Sequence, residues 1–342
     1  MRNILITGGA GFIGSNFISY FLKAHPAYKL YNLDALTYAG KKENMQDFFN
    51  HPNHTFIHGD ICDKTLIVEI FEKYKIDSII HFAAESHVDN SISSPNIFIK
   101  TNIEGTFTLL DVAYHYWLEK PFAYKVPYGV FHHISTDEVY GSLGAEGLFS
   151  EDTPYAPNSP YSASKASSDM LVRSYHHTYG LKTLITNCSN NYGPKQHSEK
   201  LIPTIIRKSL ANESIPIYGD GLNIRDWLYV EDHCKGIDLV FHSDKYGETY
   251  NIGGNNEYTN IVIAQTVCSI LDELVPRESG SYSELITYVQ DRAGHDRRYA
   301  IDASKIKSCL NWRPCCTFEE GIRKTVEWYV EQFGILGGKI VS

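Results

Sequence analysis

The opening segment constrains the fold more than any other stretch. Ile4-Leu5-Ile6 is a short apolar run suited to a strand buried on both faces. It leads into Thr7-Gly-Gly-Ala-Gly-Phe-Ile-Gly14, with glycines at 8, 11 and 14, and then into a helical pattern through Ser15 and Leu22. Glycine allows the tight turn and lets the backbone approach a diphosphate at a helix N-terminus. Asp34 ends the run Lys29–Leu33, twenty residues beyond Gly14. A carboxylate there accepts hydrogen bonds from an adenosine ribose and repels a 2′-phosphate, so the pattern favours NAD over NADP.

Strand-like and helical patterns then alternate. Expected strands are Asn3–Thr7, Lys29–Leu33, Thr55–His58, Ser78–Phe82, Val130–Ser135 and Lys182–Asn187, with helices over Thr65–Tyr74, Asn102–Trp117 and Tyr161–Tyr179. This order predicts an α/β chain with a Rossmann-type doubly wound parallel sheet. Past Tyr192-Gly193-Pro194 turn residues become denser, and strand-like Thr249–Gly254 points back to the first sheet. The expected division is a dinucleotide-binding domain over 1–190 with a returning segment near 228–255. A smaller, partly interleaved C-terminal substrate domain covers 191–335, and 336–342 form a tail. Glu119–Tyr128, aromatic and with two prolines, has no evident role.

Asp plus Glu outnumber Lys plus Arg by 40 to 31, a net charge of −9, which argues against a nucleic-acid surface or an anionic-lipid anchor. The chain runs from Met1-Arg2-Asn3 directly into the first strand, and no apolar run approaches membrane-spanning length, so a cytoplasmic protein is expected. Seven scattered cysteines without a Cys-x-x-Cys pair read as free thiols. No metal is expected from the histidines. His54 and His58 flank a strand-like run, and His132-His133 and His176-His177 are adjacent pairs whose rings point apart on regular elements.

Two further segments carry chemistry. Tyr161-Ser-Ala-Ser-Lys165 places a phenol and an ammonium four residues apart, on one face of a helix. A nearby ammonium is expected to lower the tyrosine pKa, as alcohol oxidation requires. Thr136-Asp137-Glu138 adds two carboxyl groups. Oxidation alone needs one base. Oxidation followed by loss of water needs a second base for a carbon-bound proton and an acid for the departing hydroxyl. The two segments together imply dehydration through a transient ketone.

With these strings stand Phe82-Ala-Ala-Glu-Ser-His-Val-Asp89, Asn187-Cys-Ser-Asn-Asn-Tyr-Gly-Pro194, Tyr218–Trp227, Tyr250–Gly254 and Asp291–Asp302. From Asn3 to Phe333 the chain resembles the extended short-chain dehydrogenases/reductases, and within them the nucleotide-sugar 4,6-dehydratases. Ala293 stands where that pattern often has proline. The resemblance implies Tyr161 as the base at the sugar C4 hydroxyl, Thr136 as its hydrogen-bonding neighbour, and Lys165 on the nicotinamide ribose. It makes Glu138 the base at C5 and Asp137 the acid at C6. The implied NAD site comprises Gly8, Gly11, Phe12, Ile13 and Gly14, then Asp34, Ala35, Leu36 and Thr37. Asp60 and Ile61, Phe82, Ala83, Ala84 and Ser86, and Thr101, Tyr161, Lys165 and Asn191 complete it. The implied substrate site takes Ser86, His87, Thr136, Asn190, Lys200 and Leu201, with Pro216, Tyr218, Arg225, Asn260, Arg292 and His295 in the second lobe. The implied substrate is dTDP-glucose, with UDP-, CDP- or GDP-sugars as alternatives, and the implied assembly a homodimer through the Asn102–Trp117 and Tyr161–Tyr179 helices. An NAD-binding scaffold without chemistry would have shed the tyrosine, the lysine or an acid. A C4 epimerase would not need both carboxyls.

Overall fold

The computed structural model describes residues 2–291 and 295–333. Seven parallel strands form the main sheet: β1 (Asn3–Thr7), β2 (Lys29–Asp34), β3 (His54–His58), β4 (Ser78–His81), β5 (Val130–Thr136), β6 (Thr183–Cys188) and β7 (Thr249–Ile252). Their order across the sheet is β7-β6-β5-β4-β1-β2-β3. The order reverses between β1 and β4, and an open sheet of this kind has its ligand crevice at that point, outside the carboxyl ends of the strands.

The period-two alternation of strand side chains sorts the apolar runs into two cores. Ile4, Ile6, Leu30 and Ile80 face one layer, built on α1 (Phe12–Ala24) and the helix Val230–Phe241, where Phe21 and Phe241 meet at 6.3 Å. Leu5, Tyr31, Ile79 and Phe131 face the other, with α2 (Lys64–Tyr74), α3 (Thr106–Trp117) and α4 (Pro160–Tyr179). Covering both faces is what permits a parallel sheet.

The expected helix from Asn102 begins differently. Ile99–Gly105 is π-helical, and the regular helix starts at Thr106. Side chains account for this: Thr106 Oγ1 donates to Asn102 O at 2.6 Å and Ser168 Oγ to the same oxygen at 2.7 Å. The expected Phe82 and Lys182 fall just outside their strands, while His54, Asp34, Thr136 and Cys188 extend theirs. Glu119–Tyr128 forms part of a small hairpin, Leu118–Lys120 with Ala123–Tyr124, which closes over the end of α4. Lys182 donates its backbone N–H to Tyr124 Oη and its ammonium to Pro127 O.

Beyond β6 the chain leaves the sheet. Asn190–Tyr192, Ile224–Tyr229 and Glu257–Thr259 form a three-stranded sheet, and Ile215–Tyr218 pairs with Ile286–Val289. The helices Leu201–Leu210, Asn260–Leu274 and Phe318–Gln332 bury a separate core with them. Among the described residues only the Thr249–Ile252 strand returns, pairing with β6. The expected tail 336–342 lies outside the described residues.

Candidate active site

One cavity of about 350 Å3 gathers the carboxyl ends of six strands: Gly8 after β1, Asp34 at the end of β2, Asp60 after β3, Phe82–Ser86 after β4, Thr136–Glu138 at β5 and Cys188–Asn191 at β6. Every residue assigned to the dinucleotide lines it except Leu36, whose backbone N–H instead donates to Asp34 Oδ1 at 2.8 Å. Leu36 itself packs against the core.

The cradle fits a diphosphate by what it excludes. Gly8 has φ +76°, and a Cβ there would lie 2.6 Å from Ala83 N; a Cβ on Gly14 would lie 2.3 Å from Gly8 O. Neither position can carry a side chain, so bare backbone faces the cavity. No side chain caps the first turn of α1, so its N–H groups remain available to an anion. Asp34 is buried and accepts from Ala10 N at 2.9 Å and from Leu36 N. A carboxylate has about four acceptor positions, so both oxygens keep capacity for a ribose diol. Burial pushes the Asp34 carboxyl up, opposed by the Leu36 and Ala10 amides.

α4 presents the phenol and the ammonium. Ser159 and Ser162 close a capping box at 3.0 Å in each direction, and Pro160 opens the helix. This fixes Tyr161 in the first turn and Lys165 one turn on, both buried. Asn102 holds the facing loop to this helix: Glu85 N donates to its Oδ1 at 2.8 Å, and its Nδ2 donates to Glu85 O at 3.0 Å and to Ser164 Oγ at 2.8 Å. The Tyr161 phenol stands well above its ordinary pKa, through burial first and then the Glu138 charge, with the neighbouring Thr136 hydroxyl opposing. The expected lowering by Lys165 is therefore overturned: the Lys165 ammonium donates to Ile134 O at 2.8 Å and lies 3.3 Å from His133 Nε2.

The carboxyl pair sits in a 3-10 turn, Asp137–Tyr140, at the end of β5. Asp137 is 1% exposed, and its carboxyl is pushed well above the usual range by burial, then by the charges of Glu138 and Asp226. Its Oδ1 accepts from Thr136 Oγ1 at 3.3 Å, whereas Oδ2 has no partner among the described residues. Oδ2 is thus the oxygen left to carry an acidic proton. Thr136, Asp137, Glu138, Tyr161 and Lys165 all line the one cavity.

The substrate residues divide. Ser86, Asn190 and Lys200 line the cavity, and Lys200 Nζ donates to Ser86 O at 2.9 Å. His87 caps the helix Val88–Ser93, and Leu201 opens the helix Leu201–Leu210. A second group forms around Asp291 and the residues from His295 to Tyr299. Arg225 lies over the Tyr299 ring at 4.3 Å and donates to Asp296 O at 2.9 Å; His295 Nδ1 meets Asp291 Oδ1 at 2.6 Å. Tyr218 and His295 rings are 6.4 Å apart, Asn260 N donates to Asn223 O, and Pro216 sits in the strand Ile215–Tyr218. Arg292 lies outside the described residues. Sequence reasoning missed Gln196 and His197, which follow the Tyr192-Gly193-Pro194 turn into the cavity, and Tyr38, whose hydroxyl accepts from Ser86 N at 3.4 Å. Nothing in the spacing of Gln196 and His197 pointed inward.

His54 donates to Phe49 O and His58 to Ala35 O, so the two rings are held on different partners. Among the described residues one His/Asp cluster has metal-like spacing: His25, Asp238 and His242 offer ligand atoms within 4.8 Å. Its carboxylate already meets Tyr20 Oη at 2.8 Å, His25 Nε2 at 2.9 Å and His242 Nδ1 at 2.8 Å, a polar clasp between α1 and the helix Val230–Phe241.

Comparison with known proteins agrees with this architecture. A family profile described as GDP-mannose 4,6 dehydratase matches residues 5–325. A dTDP-glucose 4,6-dehydratase of Xanthomonas campestris pv. campestris (strain B100) is 53% identical over 331 residues, 96% of this chain and 93% of that protein. One of Salmonella typhimurium is 55% identical over 336 residues, 96% of this chain and 92% of the relative. A crystal structure of a dTDP-glucose 4,6-dehydratase from Streptomyces venezuelae, with NAD and TYD bound, superposes with a TM-score of 0.88 at 44% identity, covering 98% of each chain. The chain belongs to the dTDP-glucose 4,6-dehydratase family of the extended short-chain dehydrogenases/reductases.

Proposed function

We propose that this protein converts dTDP-glucose to dTDP-4-keto-6-deoxyglucose and water, holding NAD through each turnover. The observation that carries the reading is the buried Asp137 carboxyl beside Glu138 in the cavity that also holds Tyr161. The relatives named for this activity, and the one solved with NAD and TYD, support it.

When bound, the nicotinamide accepts a hydride from C4 and returns it to C6. Tyr161 takes the C4 hydroxyl proton, and Thr136, which lines the same cavity, steadies the same oxygen. Tyr161 stays a phenol until positive charge faces it, and Lys165, one turn on, is the chain's own source of that charge. The C4 ketone acidifies C5; Glu138 removes that proton, and Asp137 gives its proton to the C6 hydroxyl, which leaves as water. A carboxyl held protonated beside a second, charged one suits an acid/base pair, and the charge on Glu138 is itself one cause of the raised Asp137. Hydride return to C6 and reprotonation of C5 complete the product. The redox change cancels, so no NADH accumulates.

Lys200, Arg225, Arg292 and His295 are proposed to hold the nucleotide diphosphate; a guanidinium fork stays charged and matches phosphate geometry. We place the protein in the cytoplasm, where its seven free thiols would stay reduced. No described helix is long and apolar enough to cross a membrane. The proposed assembly is a two-fold homodimer through α3 and α4. On these helices Leu109 and Tyr175 are buried within the chain, whereas Phe107 and Met170 are 43% and 52% exposed. Turnover of dTDP-glucose in heavy water tests the mechanism. Deuterium should enter at C5 while the C4 hydrogen moves to C6; C4 hydrogen lost to solvent would refute the hydride route.

A further inference from the structure

Beneath the cavity lie buried histidines that the mechanism does not use. His132 faces the far core, its ring parallel to Phe241 at 6.4 Å. His133 faces the other way. Its Nε2 is 3.3 Å from Lys165 Nζ and 3.2 Å from Asp169 Oδ1. Lys165 also donates to Ile134 O at 2.8 Å. An ammonium has three N–H groups. Two are thus directed back at β5, leaving a third for the cavity that Lys165 lines. Asp169 is anchored from behind, its Oδ2 accepting from Ser135 Oγ at 2.8 Å and Tyr155 Oη at 3.0 Å, while Oδ1 turns towards the ring without a hydrogen bond. With the ring proton on Nδ1, which has no partner among the described residues, Nε2 is left to accept from the ammonium.

We propose that His133, set between Asp169 and Lys165, is a positioning residue that aims the free N–H of the Lys165 ammonium into the cavity. The proposal rests on the role given to Lys165 above. The surrounding charges fit it. Burial lowers Lys165 to about 8, while Asp169 on its own helix and the Cys188 thiol on β6 raise it. His81 on β4 and His133 on β5 are both held well below their usual value, by burial first and with Lys165 contributing, so both rings are neutral. Asp137 and Glu138 bear on the neighbouring Tyr161 and Cys188. Asp169 is itself raised to about 6 by burial, opposed by Lys165, so at neutral pH a carboxylate and an ammonium flank a neutral imidazole.

Three variants test this: His133→Leu, His133→Gln and Asp169→Asn. Readouts are kcat and KM with dTDP-glucose from pH 6 to 10, melting temperature, and the pH dependence of Lys165 acylation by acetic anhydride, followed by mass spectrometry. His133→Leu should lower kcat about a hundredfold, the scale of a misdirected catalytic group, with KM little changed. His133→Gln should recover most of that, since its amide oxygen can accept where Nε2 did. Asp169→Asn should move the Lys165 acylation midpoint down by about one pH unit or more, and the alkaline limb of kcat with it. Equal losses in Leu and Gln with lowered melting, or wild-type kcat in both, would make His133 a packing residue and overturn the proposal. An unmoved Lys165 midpoint in Asp169→Asn would overturn it even if the leucine variant fails to fold. Wild-type protein inert towards dTDP-glucose would instead defeat the functional reading and leave the acylation result to decide this one.

Discussion

Asp137→Asn separates the chemical from the structural role of the buried acid. Asp137 is 1% exposed, and burial with the charges of Glu138 and Asp226 raises its pKa well above the unfolded value, with Arg225 opposing. For a carboxyl raised on folding, the protonated form is favoured in the folded state. Its contribution is fully present below the ordinary carboxylate range and is lost as pH climbs towards the folded value. Each unit of elevation corresponds to about 1.4 kcal/mol. Asparagine keeps the shape and cannot ionise, so the variant should lack this decline and melt at or above wild type at pH 8, at roughly 2–4 °C per kcal/mol. The amide cannot donate an acidic proton, so product formation should fall by about a hundredfold to ten-thousandfold. C4 oxidation should persist, visible as NADH absorbance that the wild type never accumulates. Calorimetry against pH and absorbance at 340 nm read the two halves. A variant less stable than wild type at pH 8, or one that turns over normally, would refute the assignment of Asp137 as a buried neutral acid.

Wild type should purify with NAD(H) bound, and Gly14→Ala, whose Cβ would lie 2.3 Å from Gly8 O, should purify without it, as extraction and absorbance would show. Tyr161→Phe should retain NAD and lose hydride transfer, whereas Glu138→Gln should still oxidise C4 and fail to exchange the C5 proton with heavy water. Light scattering at micromolar concentration should give about twice the 38.8 kDa chain mass, and a fully active monomer would contradict the proposed dimer.

Much of the fold was legible because its signals are local. The Ile4-Leu5-Ile6 run, the glycine turn and Asp34 lie within one βαβ unit, and the period-two burial follows from the strands themselves. The π-turn at Ile99–Gly105 was not legible, since it depends on Ser168, which reaches Asn102 O from another helix. Tyr161 and Lys165 were correctly placed on one helix, but their electrostatics were not. The Lys165 ammonium turns to Ile134 O, and the depth of burial that raises Tyr161 is a tertiary property that i, i+4 spacing does not carry. The surroundings of Arg225 were not legible for the same reason: its partners, Asp296 and the Tyr299 ring, come from about seventy residues further along the chain.

The most direct test is turnover of nucleotide-glucoses by the purified protein, with the 4-keto-6-deoxy product read by its absorbance in alkali and NADH followed at 340 nm. The account predicts product from dTDP-glucose ahead of UDP-, CDP- and GDP-glucose, at constant NADH. NADH accumulating in step with substrate consumed, or no keto product from dTDP-glucose, would contradict it.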